Sequence, residues 1–149
     1  MHEKTVKDLQ QEIAGVLKEK KKPEEKLAAL GRIEKECLEM LPEGDASRER
    51  LLMVLCEMTG NLYVTLKNPA EAEKQYRTML QKGAALYQKD KKAYDVLFAQ
   101  ANLRMGVFYK GLIRIQMIDP RPRKLNETQK KVYDISDRFF RNAVSVCLD

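Results

Sequence analysis

The side chains that most often carry chemistry are scarce in this chain and poorly spaced for it. The single histidine is His2. No Ser–His or Cys–His nucleophile pair can therefore form away from the N-terminus. The cysteines, Cys37, Cys56 and Cys147, stand far apart. No Cys-x-x-Cys, His-Glu-x-x-His or Glu-x-x-His run exists, so neither a zinc site nor a di-iron bundle site is expected. No glycine-rich loop suited to a phosphate occurs. Carboxylates such as Glu34 and Glu39 are interleaved with lysines and read as solvated helix faces. The tyrosines at 63, 76, 87, 94 and 109 recur at core spacing and read as packing residues. The expectation is a protein with no catalytic residue, no metal and no cofactor, and not an enzyme.

The remaining signals concern surface and compartment. An odd number of widely spaced cysteines, each among apolar residues at helical spacing, predicts buried free thiols in a reducing compartment. The N-terminal MHEKTVKDLQQEIAG is charged and lacks the apolar centre of a secretion signal. The longest apolar run, Leu51–Cys56, is too short to span a bilayer. A cytoplasmic protein without membrane contact is expected. The net charge of +6 is uneven: residues 1–60 hold 11 basic and 13 acidic groups, and residues 61–149 hold 17 and 9. A basic second half suggests attraction to anionic partners, although the plainer reading is a solubilising surface.

Positioning falls to helices. With 44% hydrophobic and 34% charged residues and few glycines or prolines, the 149-residue chain has the composition of one soluble, helix-rich domain. Apolar residues recur at three and four, never convincingly at two, so no sheet is expected. Val6, Leu9, Ile13, Val16 and Leu17 predict a helix over about 4–21. Pro23, suited to a first helical turn, opens a second, with Leu27, Leu30, Ile33, Cys37, Leu38 and Leu41 as its stripe, closed by Pro42-Glu-Gly-Asp. The third runs from about Ser47 to Lys67 and is apolar almost all round over Leu51–Met58, as a helix sandwiched between neighbours would be. Asn68-Pro69 ends it and starts the fourth, whose buried face is Ala72, Tyr76, Met79, Leu80, Ala84 and Tyr87. The fifth, from about Lys92 to Met117, is again apolar nearly all round. The sixth follows a DPRPRKLN loop, with Asn126 as N-cap and Val132, Ile135, Phe139, Phe140, Ala143 and Cys147 as its stripe.

These helices repeat. Gly15, Gly60 and Gly106 lie 45 and 46 residues apart inside helices, where a glycine costs about 1 kcal/mol relative to alanine; an even spacing argues for a close approach at each. Tyr63 and Tyr109 follow their glycines by three residues, with Lys18 in that place in the first unit. Pro23 and Pro69 are 46 apart, so that Leu30, Ile33, Cys37, Leu38 and Leu41 map onto Tyr76, Met79, Gly83, Ala84 and Tyr87. The last helix fits if its loop is an insertion of about ten residues. The best unit, residues 53–86, resembles the tetratricopeptide repeat. It carries Gly60 and Tyr63 on the first helix and Ala72 and Tyr76 on the second at that family's spacing. The chain departs from the family in a period near 46 instead of 34, in Lys18, and in the missing alanine signature of the last hairpin. The resemblance implies an all-α fold, a right-handed stack of about three antiparallel hairpins (about 4–41, 47–89 and 92–148) forming one domain.

The resemblance also implies a function. In that family the first helix of each repeat lines a concave groove that receives a peptide or helix. By position, the groove would be lined by Glu57, Asn61 and Val64 on the third helix and by Gln100, Leu103, Val107 and Lys110 on the fifth. Asn61 matches a position that clamps a terminal carboxylate in some members, while Glu57, where those members use lysine, opposes a clamp. The first expectation is thus a protein-binding scaffold. An alternative is an anion-binding module for RNA or DNA, using Lys110, Arg114, Arg121, Arg123, Lys124, Lys130 and Lys131, although no nucleic-acid motif accompanies them. A third is a homo-oligomer, or a piece of a longer scaffold, docking through the last helix, where Phe139, Phe140, Val144 and Val146 spread around the circumference.

Overall fold

The computed structural model describes residues 5–116 and 127–148. They form six helices: α1 (Val6–Lys18), α2 (Pro23–Met40), α3 (Ala46–Thr65), α4 (Pro69–Lys89), α5 (Lys91–Gln116) and α6 (Glu127–Leu148). No strand occurs among the described residues. The fold class is all-α, built from successive helical hairpins.

Each helix starts and stops for a local reason. Thr5 and Asp8 form a capping box at α1: the Asp8 N–H donates to the Thr5 hydroxyl at 3.3 Å, and the Thr5 N–H to the Asp8 carboxylate at 2.8 Å. α1 stops at Lys18, three residues before the expected end. Lys22 is extended (ψ 148°) because Pro23 follows it, and the lysine-rich segment before it buries nothing that would hold it helical. Gly44 takes a φ of 86° in the α2–α3 turn, and Asp45 caps α3 by accepting from the Ser47 and Arg48 N–H groups. Arg48 closes the turn by donating to the Leu41 carbonyl at 3.2 Å. Asn68 ends α3 and begins α4. Its N–H donates to the Tyr63 carbonyl at 2.8 Å while Lys67 donates to Val64 at 3.0 Å, the paired bonds of a Schellman motif. Its own side chain accepts from the Glu71 N–H as N-cap. Lys67 holds the left-handed position (φ 60°) that glycine usually takes. Asp90 alone separates α4 from α5 and caps α5 through the Ala93 N–H. Asn126 lies outside the described residues.

The chain divides into two compact units, residues 1–82 and 83–149, with the boundary within α4. In the first, α1 packs on α2 and α3, and α2 on α3. Leu9, Ile13, Leu30, Ile33, Cys37, Leu51, Leu52, Leu55 and Leu62 form its core, with Val16, Leu17, Leu27 and Met58 against it. Lys82 on α4 reaches Glu49 on α3 at 3.0 Å, both partly buried. In the second unit α5 packs along α6. Ala99, Ala143 and Val146 are buried there beside Tyr87 and Phe98, whose rings stack at 5.0 Å. Tyr109 stacks on Phe139 at 5.8 Å.

Candidate interaction surface

The α3–α4 hairpin is built around one aromatic ring. Tyr76 is fully buried and lies directly over Gly60: a Cβ placed on Gly60 would stand 2.6 Å from Tyr76 Cε1. Ala72, one turn earlier on α4, is also fully buried. The Tyr76 hydroxyl donates to the Asn61 side-chain oxygen at 2.5 Å, so the residue beside the glycine holds the far end of the ring. Gly60 thus admits the ring that Tyr76 supplies, Ala72 is buried one turn before it on α4, and the half-buried Tyr63 lies one turn further along α3.

The second unit repeats this arrangement with different residues. A Cβ on Gly106 would stand 2.9 Å from the Phe140 ring. Four residues before Phe140 comes Ser136, fully buried, whose hydroxyl donates to the Gly106 carbonyl at 2.7 Å. Ser136 and Phe140 thus stand where Ala72 and Tyr76 stand. The small residue is not lost from the last hairpin, as its sequence suggested; a serine replaces it. Gly106 to Phe140 spans 34 residues against 16 from Gly60 to Tyr76, so the insertion is 18 residues rather than about ten.

The first hairpin does not share the close approach. Gly15 is exposed, with nothing within 4 Å of a built Cβ. A strict period of 46 explains why. It places Ala14, not Gly15, with Gly60 and Gly106, and half-buried Leu17, not Lys18, with Tyr63 and Tyr109. The same period aligns Leu9, Leu55 and Ala101, all buried. At the position of Ala72 stands Lys26, which donates to the Leu17 carbonyl at the end of α1 (3.1 Å) instead of admitting a ring. In the α2–α4 mapping, Leu30 and Tyr76, Ile33 and Met79, and Cys37 and Gly83 are buried in both members, whereas Leu38 is exposed.

This register also sorts the expected lining residues. Glu57, Asn61 and Val64 share one half-buried face of α3 with Val54 at its exposed edge. Gln100, Leu103, Val107 and Lys110 are the same four positions one repeat later, in the order Val54, Glu57, Asn61, Val64, and all four are exposed on α5. Val96 extends their line. Val96, Leu103 and Val107 are 57%, 45% and 51% exposed. The near-continuous apolar sequence of α5 predicts a helix enclosed on all sides; instead Ala99, Ala101, Asn102, Met105, Phe108 and Tyr109 are buried and the 96–103–107 line is open. The α1 positions in this register, Asp8, Gln11, Gly15 and Lys18, carry no large apolar group.

Other candidates fall differently. Arg121, Arg123 and Lys124 lie outside the described residues, as does the side chain of Arg114. Lys130 and Lys131 are exposed on α6. Of the apolar groups around α6, Phe139 stacks on Tyr109, Phe140 covers Gly106 and Val146 is buried, leaving Val144 58% exposed. Cys37 is a buried free thiol and Cys56 a half-buried one; burial raises the pKa of both, Cys56 to about 11. Cys147 lies outside the described side chains. Sequence reasoning missed Ser136 and the buried Asn102, which donates to the Phe98 carbonyl at 2.9 Å. A small residue four before an aromatic was the available signal for Ser136, hidden by the miscounted insertion.

Among the described residues no group of three His, Cys, Asp or Glu side chains is placed to hold a metal ion, and no helix is long and apolar enough to cross a membrane. No family model, curated protein or solved structure matches the chain.

Proposed function

We propose that the protein is a non-enzymatic interaction module of tetratricopeptide-like hairpins that recruits a partner protein through the outward face of α5, the first helix of its hairpin. The line of Val96, Leu103 and Val107 carries this reading. Scattered single apolar residues on a surface are ordinary, but three branched aliphatic groups along one helix face, interrupted only by Gln100, make an apolar line of the kind that favours a contact site. Full burial of each contributes about 1.5–3 kcal/mol, and a docked partner would recover much of it. Gln100 and Lys110 on the same face supply polar groups that fix register. The reduced thiols Cys37 and Cys56 suit the cytoplasm.

Photo-crosslinking in the native cells tests the proposal. A benzophenone side chain at Val107 should give discrete protein adducts that the same group at Lys35, exposed on α2, does not. Equal or absent adducts at the two positions would refute it.

A further inference from the structure

We propose that the occupant of the α5 face is an acidic amphipathic helix of about five turns, which rests on the interaction function argued above. The backbone of α5 excludes a partner that adds as a strand, and the spacing of its side chains favours a helical one. Between the first and last turns of α5 the backbone N–H and C=O groups are consumed within the helix. It has no sheet edge to which an extended peptide could add as a strand. Contact must therefore come from side chains, and ridges spaced at three and four accept the ridges of a second helix.

Charge selects the sign of that helix. Positions 92, 96, 100, 103, 107 and 110 follow one another at spacings of four, four, three, four and three, and hold Lys, Val, Gln, Leu, Val and Lys. All six are exposed. The apolar line is thus closed by a cation at each end and contains no carboxylate. The one acidic residue of α5, Asp95, accepts from the Val96 N–H at 2.7 Å and lines a small pocket beside Lys91 and Lys92. Lys110 lies 5.1 Å from the Phe140 ring, which places its charge at the end of the line. Residues 83–149 carry 13 basic and 7 acidic groups, a net positive charge that favours an anionic partner at long range. From Lys92 to Lys110 is about 27 Å at 1.5 Å per residue, or about five turns.

Two other occupants fit less well. A second copy would offer its acidic helix α2, with five Glu against three basic residues, but α2 exposes one large apolar side chain, Leu38. An anionic membrane surface favours aromatic anchors among the apolar groups, and this face has none.

Fluorescence anisotropy with the full chain tests the proposal. The probe is a designed peptide spanning about five turns, with leucines at three-and-four spacing and flanking glutamates. The controls are its lysine-flanked isomer, a version with central prolines, and vesicles of equimolar phosphatidylcholine and phosphatidylserine. The glutamate peptide should bind about tenfold or more tighter than the lysine isomer, and its binding should weaken as salt rises. Leu103→Asp with Val107→Asp should weaken it about tenfold or more without changing the circular dichroism spectrum, since both residues are exposed. Lys92→Glu with Lys110→Glu should reverse the preference between the two peptides. Equal binding of the lysine isomer, undiminished binding of the proline version, or binding to vesicles alone would overturn the helical acidic partner while leaving crosslinks at Val107 intact. Loss of those crosslinks as well would overturn the interaction function itself.

Discussion

Gly15 and Gly60 carry the same intrinsic helical cost, about 1 kcal/mol relative to alanine, yet their surroundings differ completely. Gly15 has open space where a methyl group would go. Gly15→Ala should raise stability by about 0.5–1 kcal/mol, read as a higher urea midpoint with unchanged slope. At Gly60 the methyl group would meet a ring that is fully buried and held at its hydroxyl by Asn61. Gly60→Ala should therefore cost up to about 2 kcal/mol, the overpacking penalty less the propensity gain. Gly106→Ala should cost less, because Phe140 is only half-buried and its ring can tilt outward. If Gly60→Ala proves as stabilising as Gly15→Ala, the ring-over-glycine account is wrong. The Asn61 hydrogen bond has a further consequence: Asn61→Ala removes a partner of a buried hydroxyl and so perturbs stability together with any binding.

At the scale of elements, the α3–α4 connection shows how three residues turn a chain and restart a helix. The Leu66–Asn68 segment satisfies carbonyls of α3 and an N–H of α4 at once. Its one costly feature is Lys67, a residue with a Cβ at φ 60°. Lys67→Gly should stabilise the protein by about 0.5–1 kcal/mol, visible as a higher thermal midpoint, because glycine adopts this conformation without a Cβ clash. A lower midpoint would show that the lysine side chain contributes more than its backbone costs.

For the whole molecule, alkaline stability follows from the thiols of the first unit. Burial, then Glu34, raises Cys56 from 9.0 to about 11, with Lys82 opposing; burial likewise raises Cys37. A thiol whose folded pKa lies above its unfolded value holds its proton more tightly when folded. The resulting stabilisation is complete below about pH 9 and is lost as pH rises toward about 11. At about 1.4 kcal/mol per pKa unit, the Cys56 share is at most roughly 2–3 kcal/mol. Urea midpoints of the wild type should fall more steeply than those of Cys56→Ser across that window and run parallel to them below it. Parallel curves throughout would remove Cys56 as a source.

Much of this architecture was legible from residue types because its causes are local. Three-and-four spacing, a proline at the start of α2 and α4, and Asp or Asn before a helix act through bonds a few residues long, so all six helices could be placed to within a few positions. The Gly60–Tyr63–Ala72–Tyr76 set was legible because one hairpin is nearly local. The register of the other hairpins was not. Ala14 and Leu17 are ordinary helix residues that only the buried row of Leu9, Leu55 and Ala101 aligns with the later repeats, and Ser136 was separated from Gly106 by an insertion whose length composition does not encode. The open face of α5 was beyond sequence for the same reason. A helix apolar on every side carries no mark of the side its neighbours leave uncovered, since burial is a property of what else occupies the space; only the packing of α5 against α6 and the end of α4 determined that Val96, Leu103 and Val107 remain in water.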